Sequence, residues 1–368
     1  MAIVQPKVLL VTGGLEGGGA ERILSEMANY WAQKGWQVML ATWSGPETPD
    51  FYSLVPSVAR VWLDVNSSND SALAKICSNV NRVLKLRRLL RTSRPIAVLS
   101  FIDVSNVLTI LAAVGLGMRV VVSERTNPGL NLRIARFWRA LRRACYWAAD
   151  NVIAQTEDAA QWLEKKCRVT AVVIPNSLRV LPRVVCEREP LIVAAGRLSK
   201  EKGFDLLLLA FARISPAFPD WRLVILGEGA ERDALLDLIK RLDLEDRAAL
   251  AGQVEDIEIW MARASILVHP SRREGFPNVV LEAMGMSTAV ICARCPGISE
   301  LVQDGVNGRL VPVGDLEALM EAMCELMRNP AQRARLGREA AKVRSTYDQS
   351  LIMQRWEHCL LPAQKRAI

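Results

Sequence analysis

The sequence predicts an α/β protein built from two doubly wound parallel sheets. Three observations lead there. Short, β-branched apolar runs alternate with amphipathic helical stretches from end to end, the pattern of successive βαβ units. The chain has 368 residues, 51% of them hydrophobic, about twice the usual length of one domain. The alternation is interrupted once, at 176–190, where Pro182 and Pro190 stand in a stretch without periodicity. Domains at 1–175 and 191–347 follow, with 176–190 as linker and 348–368 as a last helix crossing back to the first domain. The two are expected to face each other across a cleft. Ligands of such sheets bind beyond the carboxyl ends of the strands, so chemistry is expected in the loops that follow strands.

In the first half, Val8–Thr12 reads as a short buried strand. A helix from Ala20 to Lys34 follows, stopped by Gly35. Further strands are expected at Val38–Trp43, Ala97–Phe101, Val120–Ser123, Asn151–Gln155 and Val172–Pro175, with helices between. In the second half, strands are expected at Leu191–Ala195, Arg222–Leu226, Ala264–His269, Ala289–Ala293 and Gly308–Pro312. Helices are expected at Phe204–Ile214 and Glu231–Leu242, after the apolar break at Asn278, and at 315–328, 331–346 and 348–362. The apolar region Ile96 to Leu116 is broken by Asp103, Ser105, Asn106 and Thr109. It reads as strand, loop and helix, not as a membrane span.

Three loops carry candidate chemistry. The run Thr12-Gly-Gly-Leu-Glu-Gly-Gly-Gly-Ala-Glu-Arg22 follows the first strand and opens the first helix. Its glycines allow backbone amides close to a ligand, and the helix start adds positive potential. The spacing does not meet the dinucleotide fingerprint. Thr42-Trp43-Ser44 supplies no acid at the end of the second strand, so a nicotinamide site is disfavoured. In Ala195-Gly-Arg-Leu-Ser-Lys-Glu-Lys-Gly-Phe204, Arg197 and Lys202 lie after the first strand of the second domain, where they would hold a diphosphate and neutralise charge as it leaves. In Arg273-Glu-Gly-Phe-Pro-Asn-Val-Val-Leu-Glu-Ala-Met-Gly285, seven residues separate Glu274 from Glu282. A helix opening at Asn278 directs free N–H groups at whatever precedes it. Glu274 outside the helix start and Glu282 a turn inside would flank a sugar nucleotide and accept from hydroxyls at its two ends. Acids near a helix start are also favoured on structural grounds alone, and the spacing gains its meaning from the basic loop upstream.

Charge is distributed unevenly. Residues 1–175 hold 21 Lys+Arg and 13 Asp+Glu, and the remainder holds 26 of each, so the net +8 sits in the first half. An anionic partner is expected there: membrane surface, phosphorylated substrate or nucleic acid. Residues 133–147 carry basic residues at 133, 136, 139, 142 and 143 and no acid. At helical pitch Ile134, Phe137, Trp138, Leu141 and Cys145 form one stripe, opposed by Arg136, Arg139 and Arg143. Arg82–Arg94 adds six basic residues and no acid. Two such segments favour peripheral contact with an anionic membrane. Nucleic acid is disfavoured for want of a basic-aromatic recognition motif. The eight cysteines form no disulfide-like framework, which fits a reducing cytosol. Cys292-Ala-Arg-Cys295, a lone C-x-x-C pair, is read as structural, not as a zinc or redox site. Residues 1–20 lack a basic start followed by an apolar stretch, so no signal peptide is expected.

Gly-Arg-Leu-x-x-Glu-Lys-Gly, Leu-Gly-Glu-Gly and Pro-Ser-x-x-Glu-Gly-Phe-Pro-Asn-x-x-x-Glu-Ala-Met occur in that order, with Gly17 to Arg22 and Val173-Ile-Pro-Asn176 upstream. Together they resemble the retaining glycosyltransferases of family 4, which have the GT-B fold. The resemblance implies that Arg197 and Lys202 bind the diphosphate of a nucleotide-sugar, that Glu274 holds its sugar and Glu282 its ribose. It implies that Gly275, Phe276, Pro277 and Asn278, with Gly196 and Gly227, shape the donor loops. Gly17, Gly18 and Gly19 would close over phosphate or acceptor. It further implies transfer with retention, no metal or other cofactor, and a leaving diphosphate that helps take the acceptor proton. The absence of an Asp-x-Asp motif at a strand end agrees.

One departure is plain. Many relatives place a histidine near the acceptor, whereas this chain has only His269 and His358, both in the second half. The matching stretch is Val122-Ser-Glu-Arg-Thr-Asn-Pro128, where Glu124 or Arg125 takes the place, Arg125 suiting an anionic acceptor. A plain strand-end loop is the alternative. His269 is read as a core residue. The variant stretch, with Phe101-Ile-Asp-Val-Ser-Asn106, is most similar to enzymes that extend polyprenyl-diphosphate-linked glycans from UDP-N-acetylhexosamines. That implies a lipid-linked acceptor and a peripheral place at the cytoplasmic membrane face. A soluble-acceptor transferase, a sugar-nucleotide epimerase and a non-catalytic sugar-binding module are the rivals.

Overall fold

The computed structural model describes residues 5–65, 72–129, 135–182 and 186–361. Met1–Asn176 with Ser350–Ile368 forms one unit, and Ser177–Gln349 the other.

The first unit runs β1 (Lys7–Thr12), α1 (Gly19–Gln33), β2 (Gln37–Thr42), β3 (Val58–Trp62), α2 (Ala72–Ser93), β4 (Ala97–Phe101), α3 (Asp103–Ala113), β5 (Arg119–Ser123), α4 (Arg136–Cys145), β6 (Asn151–Ala154), α5 (Glu157–Cys167) and β7 (Ala171–Val173). The second runs β8 (Glu189–Ala195), α6 (Phe204–Ile214), β9 (Arg222–Leu226), α7 (Arg232–Arg241), β10 (Ala248–Gly252), α8 (Ile257–Arg263), β11 (Ala264–His269), α9 (Asn278–Gly285), β12 (Ala289–Ala293), α10 (Pro296–Ser299), β13 (Arg309–Val311), α11 (Leu316–Arg328), α12 (Pro330–Ala340) and α13 (Val343–Thr346). The last helix, α14 (Gln349–Leu360), packs Ile352, Met353 and Trp356 into the core of the first unit, with Trp356 against Phe101.

Both sheets are wholly parallel. Their orders are β3-β2-β1-β4-β5-β6-β7 and β10-β9-β8-β11-β12-β13. Strand residues alternate between faces. In β1, Val8 and Leu10 meet Leu24, Met27 and Trp31 on one side, and Leu9 and Val11 meet Leu86, Leu90 and Leu108 on the other. In β8, Ile192 and Ala194 face one core and Leu191, Val193 and Ala195 the opposite one. Each fully buried aliphatic side chain contributes roughly 1.5–3 kcal/mol. Strand order reverses between β1 and β4 and between β8 and β11, where Val8 lies beside Ala97 and Val193 beside Leu267. Crevices at the carboxyl ends of such switch points are where ligands of these sheets sit.

The strands β3 and β10 and the short helices α8 and α10 were not expected from the sequence. β3 and β10 are edge strands, each hydrogen-bonded to one neighbour. β3 is half exposed, and β10 is Ala-Ala-Leu-Ala-Gly, without the β-branched residues that mark a strand. The helix expected at 331–346 is two, α12 and α13, and β8 begins two residues before the expected Leu191. Residues 183–185 of the expected linker and 362–368 of the last helix lie outside the described residues.

Candidate active site

In the second unit the loops after β8, β9 and β11 are tied to one another. Gly196 N–H donates to Leu226 O at 3.0 Å, and Leu198 N–H to Glu228 O at 2.9 Å. A Cβ on Gly227 would collide with the carbonyl of Gly196, and one on Gly203 with the carbonyl of Pro270. Both glycines also hold positive φ, at 130° and 68°. Arg272 clamps the same junction, its N–H donating to Glu201 O at 2.8 Å and its guanidinium gripping Asp205 at 3.0 and 2.9 Å.

Glu274 is the centre of this arrangement. Its Oε1 accepts from Lys202 Nζ at 2.5 Å and from Ser271 Oγ at 2.9 Å, and lies 2.7 Å from His269 Nε2. The carboxylate is only 10% exposed. Burial alone would raise its pKa, but His269 and Lys202 overcome that and hold the carboxyl well below the usual carboxylate range. The group is therefore ionised at neutral pH. Because all three partners share Oε1, Oε2 carries no hydrogen bond among the described residues. His269, expected as a core residue, is 1% exposed and also Glu274's partner.

Arg197 stands exposed beside this cluster in sequence, with no hydrogen bond or ion pair among the described residues. The loop Gly275-Phe-Pro-Asn278 is anchored from below. Phe276 packs into the core and lies 5.9 Å from the Tyr347 ring, and Gly275's carbonyl sits where a Cβ on Gly297 would fall. Pro277 occupies the N-cap position of α9 without a side-chain capping bond, and Asn278 is the helix's first residue. Glu282 lies inside α9, 3% exposed, with Arg179 Nε 3.6 Å from its Oε1, while Arg179 also pairs with Glu258. Sequence reasoning missed Ser271, Arg179 and Glu258. The Pro-Ser of the motif was the only available signal for Ser271. Cys292 and Cys295 are free and buried. Burial pushes both thiols up, Cys295 to about 11, so neither is poised as a nucleophile.

In the first unit the loops after β1, β4 and β5 carry the candidates. Gly17 holds φ at 110° with Phe51 beside it, and Gly18 N–H donates to the Glu21 carboxylate at the start of α1. After β4, Ile102 takes a φ of 75°, a strained position for a β-branched residue, and Asp103 follows, 6% exposed. Arg142 of α4, 1% exposed, reaches Asp103 Oδ2 and Glu124 Oε1, each at 3.0 Å. Tyr146 O–H donates to Glu124 Oε1 at 2.5 Å, and Asn106 Nδ2 donates to Tyr146 at 3.0 Å. Burial, opposed by Arg142 and reinforced by Asp103 on the same guanidinium, pushes Glu124's carboxyl up to about 7. Glu124 is thus turned inward. Arg125, beside it, is 7% exposed.

The basic helix differs from the expected stripe. Arg133 and Ile134 lie outside the described residues. Within α4, Trp138, Leu141 and Cys145 of the stripe turn to the core and Arg136 and Arg143 stay exposed, as expected, but Phe137 is exposed, and Arg142, assigned to neither face, is buried where two carboxylates claim it. Arg136, Phe137, Arg143 and Trp147 form the solvent side, with Phe137 65% and Trp147 74% exposed. On α2, Ile76, Val80 and Leu84 stand exposed at four-residue spacing, one above another on one face. Arg82, Lys85 and Arg87 of the same helix donate to backbone carbonyls of the first unit. No described helix is long and apolar enough to cross a membrane.

Comparison with known proteins accords with this geometry. The family model "Glycosyl transferases group 1" matches residues 183–343, and "Glycosyltransferase Family 4" matches 17–179. The chain belongs to the family 4 glycosyltransferases of GT-B fold and is a glycosyltransferase. It is 27% identical over 355 residues to the GalNAc-alpha-(1->4)-GalNAc-alpha-(1->3)-diNAcBac-PP-undecaprenol alpha-1,4-N-acetyl-D-galactosaminyltransferase of Campylobacter jejuni, covering 95% of this chain and 97% of that one. In fold it is similar to a sucrose-phosphate synthase from Thermosynechococcus elongatus (TM-score 0.84, 20% identity, 96% of this chain and 98% of that). It is also similar to Anabaena HepE in complex with UDP and glucose (TM-score 0.77, 20% identity, 97% and 99%).

Proposed function

We propose that this enzyme moves a hexose or N-acetylhexosamine from a UDP-sugar to a lipid-diphosphate-linked glycan, with retained anomeric configuration, at an anionic membrane face in the cytoplasm. The observation that carries the reading is Glu274, ionised and fixed by Lys202, His269 and Ser271 at the switch point of the second sheet. Its open Oε2 would accept from the hydroxyls of the donor sugar. Lys202 and the unpaired Arg197 would take the diphosphate, Arg197 bidentately. Gly196, Gly227 and the Gly275–Asn278 loop would bring backbone amides to it, and Glu282 would hold the ribose. Gly17, Gly18 and Gly19 would close over phosphate or acceptor.

The reaction breaks the bond between the anomeric carbon and the diphosphate oxygen and forms one to the acceptor hydroxyl on the same face. The hydroxyl proton passes to the leaving diphosphate. Charge develops on that diphosphate, and fixed cations answer it. Arg197 and Lys202 supply them, so we propose metal-independent transfer. The lipid-linked acceptor is supported by the Campylobacter relative, whose substrate is a PP-undecaprenol glycan. It is supported too by exposed Phe137 and Trp147 among the arginines of α4 and by the apolar ridge on α2. Aromatic and apolar side chains beside basic ones suit the interface of an anionic bilayer.

The test is a panel of nucleotide-sugars offered with a prenyl-diphosphate sugar acceptor, the product's anomeric configuration being read by NMR. An α-linked product from an α-linked UDP-sugar is expected. An inverted product, or turnover confined to donors of another base, would refute this reading.

A further inference from the structure

Arg125 is a cation placed where its surroundings favour anions. It lies in the loop after β5, at the sheet end where α3 and α5 begin, and helix starts carry positive potential. Its partners are neutral. Nη2 donates to Asn176 Oδ1, Nη1 lies 3.5 Å from Ser123 Oγ, and the Gln155 amide, oriented to accept, lies 2.9 Å from Nη2. The Phe101 ring lies 4.3 Å from Cζ, and Nε is buried with no partner. Among the described residues no carboxylate pairs with it. Neighbouring Glu124 is engaged by Arg142 and Tyr146, and Asp158 accepts from Asn127. Burial lowers the Arg125 pKa to about 9.

Arg142 makes the contrast. It is as deeply buried as Arg125, and the fold gives it two carboxylates. A buried charge without a counter-charge is costly, and an arginine left so is suited to an anion from outside, its fork matching phosphate oxygens. Resting on the reading that the acceptor is lipid-diphosphate-linked, we propose that Arg125 receives the acceptor's diphosphate, and so selects charged over uncharged acceptors.

The test compares wild type, Arg125→Gln and Arg125→Lys with a short-chain prenyl-diphosphate sugar and with the same sugar as an uncharged alkyl glycoside. For Arg125→Gln, KM for the charged acceptor should rise by roughly tenfold to a hundredfold. Its KM for the donor should match wild type, and its loss on the uncharged acceptor should be far smaller than on the charged one. Arg125→Lys, which keeps the charge and loses the fork, should fall between, and it decides the matter if Arg125→Gln does not fold. A second arm uses inorganic pyrophosphate as probe. The Arg197→Ala/Lys202→Ala variant, stripped of the donor-side cations, should still gain thermal stability from pyrophosphate, and should lose that gain when Arg125→Gln is added. If no prenyl-diphosphate acceptor is used but the pyrophosphate shift requires Arg125, the acceptor reading falls and the anion site stands. Equal losses on charged and uncharged acceptors, or a pyrophosphate shift that survives Arg125→Gln, would overturn the proposal.

Discussion

Two carboxylates of this chain are buried and held in opposite states. Glu274 faces Lys202 and His269 and stays ionised. Glu124 shares one guanidinium with Asp103, and its carboxyl is pushed up to about 7. The consequence for stability has a definite sign. Between the unfolded carboxylate value of ~4.3 and about 7, the folded state keeps a proton on Glu124 that the unfolded chain has released. Folding stability from this group is therefore present below that window and lost as pH rises through it. Replacing Glu124 by Gln, which carries no titration, should flatten this part of the profile. Chemical denaturation followed from pH 4.5 to 7.5 measures it. A wild-type curve and a Glu124→Gln curve of the same slope would show that the proton is not held there. Arg142 is the third member. Its loss would leave Asp103 and Glu124 buried without a counter-charge, at a cost of about 3–5 kcal/mol.

At the scale of elements, α4 divides its arginines between two tasks. Arg142 faces inward to Asp103 and Glu124, while Arg136 and Arg143 stay exposed with Phe137 and Trp147. Removing Phe137 and Trp147 to Ala, or Arg136 and Arg143 to Gln, should weaken co-sedimentation with anionic vesicles by on the order of tenfold or more, given about 1 kcal/mol per basic residue near such a surface. Unchanged co-sedimentation would make the face an ordinary solvated one. The same helix shows where sequence reading reaches its limit. Periodicity placed a helix there, but a 3.6-residue repeat cannot tell that acids after β4 and β5 will draw one arginine inward. Core strands such as β1 and β8 were legible because their apolar residues are continuous. β3 and β10 were not, because an edge strand needs neither. Lys202 and Glu274 were legible through motif and loop position. His269 and Ser271, which fix Glu274, sit on the same strand end, and only the fold shows that they share one oxygen.

At the scale of the molecule, candidate residues of each sheet stand in loops at the point where strand order reverses. In the second unit these are Lys202 and Glu274, after β8 and β11. In the first they are the glycine loop after β1 and Asp103 after β4. The excess positive charge belongs to residues 1–175, the unit that carries Arg125 and the α2 and α4 faces, while 176–368 is neutral overall. We accordingly propose donor chemistry for the second unit and acceptor recognition for the first. The most direct measurement is acceptor-dependent release of nucleotide from a UDP-sugar by wild type, Glu274→Ala and Lys202→Ala, with thermal unfolding recorded beside it. Each variant should lose on the order of 10²–10³-fold in turnover, as when a fixed electrostatic partner of the transition state is removed, and should unfold near the wild-type temperature. Full turnover in either variant would contradict the assignment of Glu274 and Lys202 as the donor site.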